Sequence, residues 1–142
     1  MYEHQHQLRV RYRDVDFLGV VYYSRYLEYF EAARDEMMRD LGLPYGEFEE
    51  QGYAMPVVEA HCVYHQSAHF DELLTIFSRI TEMPQARLKI EYEIFRPDEK
   101  TPLATGYTIH AFIKKSGPAI RPPKSFVDLI RNKILKEELG NI

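Results

Sequence analysis

The chain has no tryptophan and a single cysteine, Cys62, among its 142 residues. One thiol cannot close an internal disulfide, which excludes a disulfide-stapled scaffold and favours a reducing compartment. Cys62 falls in an apolar strand pattern, where a buried, inert thiol is the expectation. No apolar run approaches the roughly 18 residues that a spanning helix needs. Residues 1–10 (MYEHQHQLRV) carry no apolar segment of the kind found in a secretory leader. A cytoplasmic protein without a membrane span is expected. Basic excess is missing too: 18 Lys and Arg against 22 Asp and Glu leave a net charge of −4, the wrong sign for general nucleic-acid binding. Metal-ligand spacing is also lacking. On a strand, His61 and His65 would stand roughly 13 Å apart, and with His69 they form a poor zinc set. Asp14 and Asp16 begin as a calcium loop does, but Val20, Val21 and Tyr22 follow where further oxygen ligands are required. Neither a metal nor a cofactor is expected.

Linkers, repeats and low-complexity stretches are absent, so residues 1–142 are expected to form one domain. Hydrophobic residues at 45% and charged residues at 28% are globular proportions, which sets disorder aside. The 11 tyrosines suit half-buried strand faces and subunit contacts, where the ring is covered and the hydroxyl stays wet. From Gln7 to Arg13, Leu8, Val10 and Tyr12 alternate with polar residues, predicting a half-buried strand. His4 and His6, just upstream, are expected in solvent.

From Ser24 to Leu41 the period becomes helical. Tyr26, Phe30, Ala33, Met37 and Leu41 share a stripe flanked by Leu27 and Met38, with Glu28, Asp35 and Arg39 opposite. Ser24 is the expected N-cap, and Gly42 with Pro44 ends the helix. Arg34 lies inside the apolar stripe and Glu31 at its edge, so both are expected to find partners at a packed interface. Pro44–Gly52 reads as a short helix or turn.

Four strands follow, at Ala54–Gln66, Leu74–Met83, Ala86–Phe95 and Leu103–Lys115. The third is the cleanest, with Leu88, Ile90, Tyr92 and Ile94 on one face. In the fourth, Tyr107, Ile109 and Ile113 are read as inward, with a possible bulge at Gly106. Ser125 and Asp128 form a capping-box pattern for a terminal helix, Phe126 to Leu139. One strand, a long helix, four strands and a helix make an α+β arrangement with an antiparallel sheet. Its open edges are expected to be covered by a second copy.

The chemistry-bearing stretch is YRDVDFLGVVYYSRYLEYFEAAR, Tyr12 to Arg34. Two carboxylates, Asp14 and Asp16, precede a helix whose first amides lack intrahelical partners. A base or nucleophile beside such donors is a minimal acyl-transfer site. Read locally, the same aspartates accept turn hydrogen bonds and Gly19 supplies a positive φ. The residues alone leave both readings open.

This segment resembles the signature of hotdog-fold acyl-CoA thioesterases of the 4-hydroxybenzoyl-CoA thioesterase type. It is most similar to the short-chain acyl-CoA thioesterase branch associated with the Tol-Pal cell-envelope system. The motif carrying the resemblance is D-x-D-x-x-G-V-V-Y, then Tyr26, then F-E-x-A-R. AHFDELL and PPKSF agree in layout, and the likeness spans residues 6–130. It implies a hotdog fold, with an antiparallel sheet of about five strands wrapped around one long helix. It implies an acyl-CoA thioesterase with Asp16 as nucleophile or general base and the Tyr23 amide as oxyanion donor. Asp14 would then hold the loop, while Gly19, Val20, Tyr22 and Tyr26 line the substrate. Coenzyme A would be part of the substrate, with Arg87 and Lys89 foremost among candidates for its phosphates, followed by Lys114, Lys115, Arg121 and Lys124. The resemblance also implies a homodimer or homotetramer with the site at the subunit boundary. Two positions depart from the pattern: Val15 stands where Thr or Cys is usual, and Tyr23 where many members have His. A non-catalytic acyl-CoA-binding protein and an acyl-carrier-protein thioesterase are the rival functions.

Overall fold

Apolar and charged side chains alternate from Leu88 to Phe95, and that stretch becomes the central strand of the sheet. The computed structural model describes residues 1–140. Its elements are β1 (Tyr2–Arg9), a single 3-10 turn (Tyr12–Asp14), α1 (Arg25–Leu41), α2 (Tyr45–Glu50), β2 (Tyr53–Ala54), β3 (Val57–Tyr64), β4 (Leu73–Ile80), β5 (Leu88–Phe95), β6 (Ala104–His110), β7 (Ile113–Lys114) and α3 (Lys124–Gly140). Five strands form an antiparallel sheet in the order β1-β4-β5-β6-β3. β2 and β7 pair separately. Along α1, Tyr26, Tyr29, Phe30, Ala33, Met37, Met38 and Leu41 are buried, three or four residues apart, as a helix lying across a sheet requires. Phe30 stacks on Tyr92 of β5 with ring centres 4.4 Å apart. A sheet wrapped around one buried long helix is the hotdog arrangement.

Several boundaries differ from those read in the sequence. The first strand starts at Tyr2, not Gln7, because His4 and His6 occupy inward-facing positions between Tyr2 and Leu8 and disguise the alternation. Tyr2 is buried, and its hydroxyl donates to Asp40 of α1 at 2.6 Å. The strand ends early because the Arg11 amide donates to the Asp14 carboxylate and the Asp14 amide to the Arg11 carbonyl, closing a turn. Pro56 splits the expected Ala54–Gln66 strand into β2 and β3. Ser24 makes no side-chain cap, since its backbone is already helical (φ −69°, ψ −20°). The Ser125–Asp128 capping box does not form. Asp128 pairs with Arg131, and the Phe126 and Val127 amides donate to the Pro123 carbonyl.

On β6 the expected face is reversed. Thr108 and His110 are buried, and Tyr107 and Ile109 point outward, half covered. Polar residues can face inward here because they join a closed chain of hydrogen bonds. Arg34 donates to the Tyr92 hydroxyl (3.2 Å), which meets Thr108 Oγ1 (2.7 Å), which meets His110 Nε2 (2.8 Å). His110 Nδ1 then lies 3.0 Å from the Met55 carbonyl. Burial drives the His110 imidazole down to about 4, so it is neutral near pH 7. Arg34 thus finds a partner inside the molecule, while Glu31 is exposed and makes no ion pair among the described residues. Asp35, expected in solvent, is half-buried, and its desolvated carboxyl titrates above the usual range.

Gly106 is not a bulge, as it pairs in register with Tyr92 and Cys62. The irregularity lies on β3, between Val57 and Glu59. A Cβ at Gly106 would overlap the His61 carbonyl oxygen and the Phe30 ring, so the missing side chain admits the helix.

Candidate active site

The loop after β1 folds into a small ladder outside the main sheet. Val15 bridges Val21, and Val20 bridges His69, both antiparallel. The Asp16 amide donates to the Val20 carbonyl at 2.9 Å and the Gly19 amide to the Asp16 carbonyl at 3.0 Å. Gly19 sits at φ +80°, a left-handed conformation that other residues resist. Asp16 Oδ1 accepts the Leu18 amide at 2.8 Å and the Val20 amide at 3.4 Å, the self-closing turn open to an Asx residue. Its Oδ2 accepts no hydrogen bond among the described residues, and the residue is only partly covered.

Asp14 has the opposite surroundings. It is 6% exposed and accepts the Arg11 amide at 3.1 Å and the Tyr29 hydroxyl at 2.9 Å. Arg13 and Arg25 stand at 3.9 and 4.0 Å. Burial, reinforced by the bond to Asp14, holds Tyr29 protonated as a donor. Asp14 therefore ties the loop to α1.

At the start of α1 the Tyr22 amide donates to the Asp14 carbonyl, Arg25 to Tyr22 and Tyr26 to Tyr23. Among the described residues, the amides of Tyr23 and Ser24 donate to nothing. They are the open donors a helix beginning leaves. The rings of Tyr22 and Tyr23 are exposed and lie 4.6 Å apart, and the Tyr23 carbonyl accepts the Tyr64 hydroxyl of β3 at 2.9 Å. Asp16, Gly19, Val20, Tyr22 and Tyr23 are thus gathered in one place. Tyr26 is beneath them, 2% exposed, its hydroxyl accepting the Ala68 amide at 3.1 Å.

Arg87 and Lys89 are not brought to this place within the subunit. Lys89 pairs with Ile109, and its ammonium lies over the Tyr107 ring on the outward face of the sheet. The loop meets the opposite end, where Phe95 pairs with Thr75, six residues or roughly 20 Å further along β5. Lys115 is paired with Glu49 at 3.0 Å. Arginines the sequence reading passed over do lie beside the loop. Arg9, Arg11, Arg13 and Arg25 line a cleft of about 440 Å³ that includes Asp14 and Glu28.

His69 was also missed as a neighbour of the motif. It lies fifty positions beyond Gly19, and only the Val20–His69 bridge makes the two segments adjacent. The AHFDELL turn holds it firmly. His69 Nδ1 is 3.1 Å from Glu72 Oε1, which also accepts the His69 amide at 2.7 Å. Glu72 in turn receives Arg96, whose Nη2 also reaches the Ser67 carbonyl at 2.7 Å. Partial burial opposes the charge on Glu72, but Arg96 and the His69 amide outweigh it and hold the carboxyl below its ordinary range. His61 stacks on Tyr107 and His65 meets Thr105, so the three histidines have separate surroundings.

Fold and loop together define a hotdog protein with a part-exposed carboxylate, Asp16, on the loop before its long helix and open amides at that helix's start. The chain belongs to the Thioesterase-like superfamily, whose family model matches residues 10–131. A putative acyl-CoA thioesterase, YneP, of Bacillus subtilis (strain 168) is 27% identical over 90% of this chain and 93% of its own. An acyl-CoA thioesterase, YbgC, of Haemophilus influenzae is 37% identical over 63% of this chain and 66% of its own. Among solved structures, a DHNA-CoA thioesterase from Staphylococcus aureus superposes with a TM-score of 0.84 at 27% identity, covering 99% of this chain and 94% of that one. No helix among the described residues is long and apolar enough to cross a membrane.

Proposed function

We propose that this chain is an acyl-CoA thioesterase, cleaving the thioester of a small acyl-CoA to free acid and coenzyme A. The observation carrying this reading is the unengaged Oδ2 of Asp16 on the loop that leads into the open amides of Tyr23 and Ser24, in a chain of the Thioesterase-like superfamily. In this reading Asp16 attacks the thioester carbonyl or activates a water, and the helix amides hold the oxyanion. Gly19 and Val20 shape the backbone under the thioester, and Tyr22 and Tyr23 flank it. Coenzyme A enters as substrate, and in this reading Arg11 and Arg13 of the neighbouring cleft receive its phosphates.

The working unit in this reading is at least a dimer. β3 is an edge strand, exposed along its length except for half-buried Cys62, with Val57, Val58, Val63 and Tyr64 each 40–46% exposed. Antiparallel pairing of β3 with its copy would cover this edge. It would bring the Val57 end of one subunit against the Tyr64 end of the other, and Tyr64 bonds to Tyr23. The cavity of about 810 Å³ lined by Glu31, Arg34, Asp35, Arg39, Met55 and Val57 would then open beside the partner's site.

Thiol release from a panel of acyl-CoAs, with the acyl-carrier-protein thioesters alongside, tests the reading. Turnover of acyl-CoA, lowered by orders of magnitude in Asp16→Asn, is expected. Binding without turnover would identify the non-catalytic alternative, and turnover on carrier protein alone the other.

A further inference from the structure

In the ladder that carries Asp16, residues facing each other across adjacent segments share a side. The Val15–Val21 bridge sets Asp16 opposite Val20, and the second bridge sets Val20 opposite His69. Asp16, Val20 and His69 therefore stand in one row on one face, the two ends roughly 10 Å apart across two ladder spacings. Val21 and Ala68, next in register, are buried on the other face, so the row looks outward. A thioester lying over Val20 would have Asp16 on one side and the imidazole on the other.

The imidazole is prepared for proton transfer. Glu72, an acceptor only, lies 3.1 Å from Nδ1, whereas Arg96 Nη2 is at 3.5 Å and already engaged by Ser67 and Glu72. The proton therefore sits on Nδ1, and the lone pair on Nε2 is left free. The charged groups around the ring are Glu72, Arg96 with its partner Glu99, the adjacent Asp71, and Asp16 across the row.

We propose that His69 is a second catalytic residue, the base that takes the proton of the hydrolytic water at Nε2, with Glu72 as its positioning residue. This rests on the thioesterase reading and completes it by giving Asp16 the nucleophile's role. Asp16 Oδ2 bonds to the thioester carbon and the C–S bond breaks, releasing coenzyme A as thiolate and leaving an acyl–Asp16 anhydride. Water then bonds to the acyl carbon and gives a proton to His69 Nε2, and the C–O bond to Asp16 breaks. The imidazolium returns its proton to the thiolate, so thioester and water become acid and thiol. Were Asp16 itself the base for water, His69 would be redundant.

The test compares wild type, His69→Ala, His69→Gln and Asp16→Asn by thiol release across pH. The His69 side chain is 56% exposed, so its replacement leaves the fold intact, checked by an unchanged melting temperature. In both His69 variants kcat should fall by about 100-fold with a burst of one thiol per subunit. The acid limb that an imidazole base imposes on kcat should vanish, and added imidazole should restore part of the His69→Ala rate. Turnover by His69→Ala within threefold of wild type, or a slow rate without a burst, would overturn the assignment while the thioesterase reading stands. If wild type cleaves no acyl-CoA, both fall.

Discussion

Asp14 and Asp16 are two residues apart and should fail in opposite ways when replaced. Asp14→Ala deletes the acceptor for the buried Tyr29 hydroxyl and for the Arg11 amide. Leaving a buried donor unsatisfied costs about 1–3 kcal/mol each, and Tyr29, itself only 6% exposed, has little water to turn to. A loss of about 3 kcal/mol is expected, or a melting temperature lower by about 10 °C for a chain of this size. Asp16→Asn keeps an oxygen for the Leu18 and Val20 amides, so its melting temperature should stay within about 2 °C of wild type. Differential scanning calorimetry at matched subunit concentration, paired with thiol release, reads both effects, since an oligomer's melting point moves with concentration. Should Asp14→Ala melt with the wild type, or Asp16→Asn lose stability and keep its turnover, the division of labour between the two carboxylates would be wrong.

Gly106→Ala places a methyl group on the His61 carbonyl and the Phe30 ring and should cost about 2–4 kcal/mol, read as a lower urea midpoint. His110 gives a pH dependence of defined sign. Its folded value of about 4 lies below the ordinary 6.5, so the unfolded chain binds the proton first. Its contribution is complete above pH 6.5 and is lost as pH falls toward about 4, up to about 3 kcal/mol. Urea midpoints at pH 7 and pH 5 should differ by less in His110→Gln than in wild type. Val58→Lys puts a charge on the open β3 edge and should yield monomers in sedimentation, with thiol release lost alongside. Arg11→Ala with Arg13→Ala should raise the Michaelis constant several-fold at constant kcat and flatten its dependence on salt.

Much of the fold is legible in the sequence because its strongest periodicities coincide with burial. Leu88, Ile90, Tyr92 and Ile94 alternate without interruption, and the α1 stripe from Tyr26 to Leu41 is continuous. Legibility fails where hydrogen bonding substitutes for apolar character. Thr108 and His110 face inward because Tyr92 and Met55 satisfy them, so hydropathy selects the wrong side of β6. His4 and His6 hide the beginning of β1 in the same way. For the site, Asp14 to Tyr26 is a local motif and can be read as a string. His69 cannot, since nothing in the 48 intervening residues announces that it will bridge Val20. The phosphate candidates on β5 stand away from the loop of their own subunit for a related reason, because position along a strand, not the charge pattern, decides which end of the sheet a lysine reaches.

The polar seam between α1 and the sheet has a direction. Arg34 can only give hydrogens and the Met55 carbonyl can only receive them, so every proton from Tyr92 to His110 is forced to point the same way. A helix that slid or rolled by one residue would lift the guanidinium off Tyr92 and leave the string without its head. An otherwise greasy contact, which many rotations of α1 would satisfy equally, thereby acquires a key that fits in one position. Because the open amides at Tyr23 and Ser24 ride on that same helix, the lock set deep in the sheet also fixes where they stand.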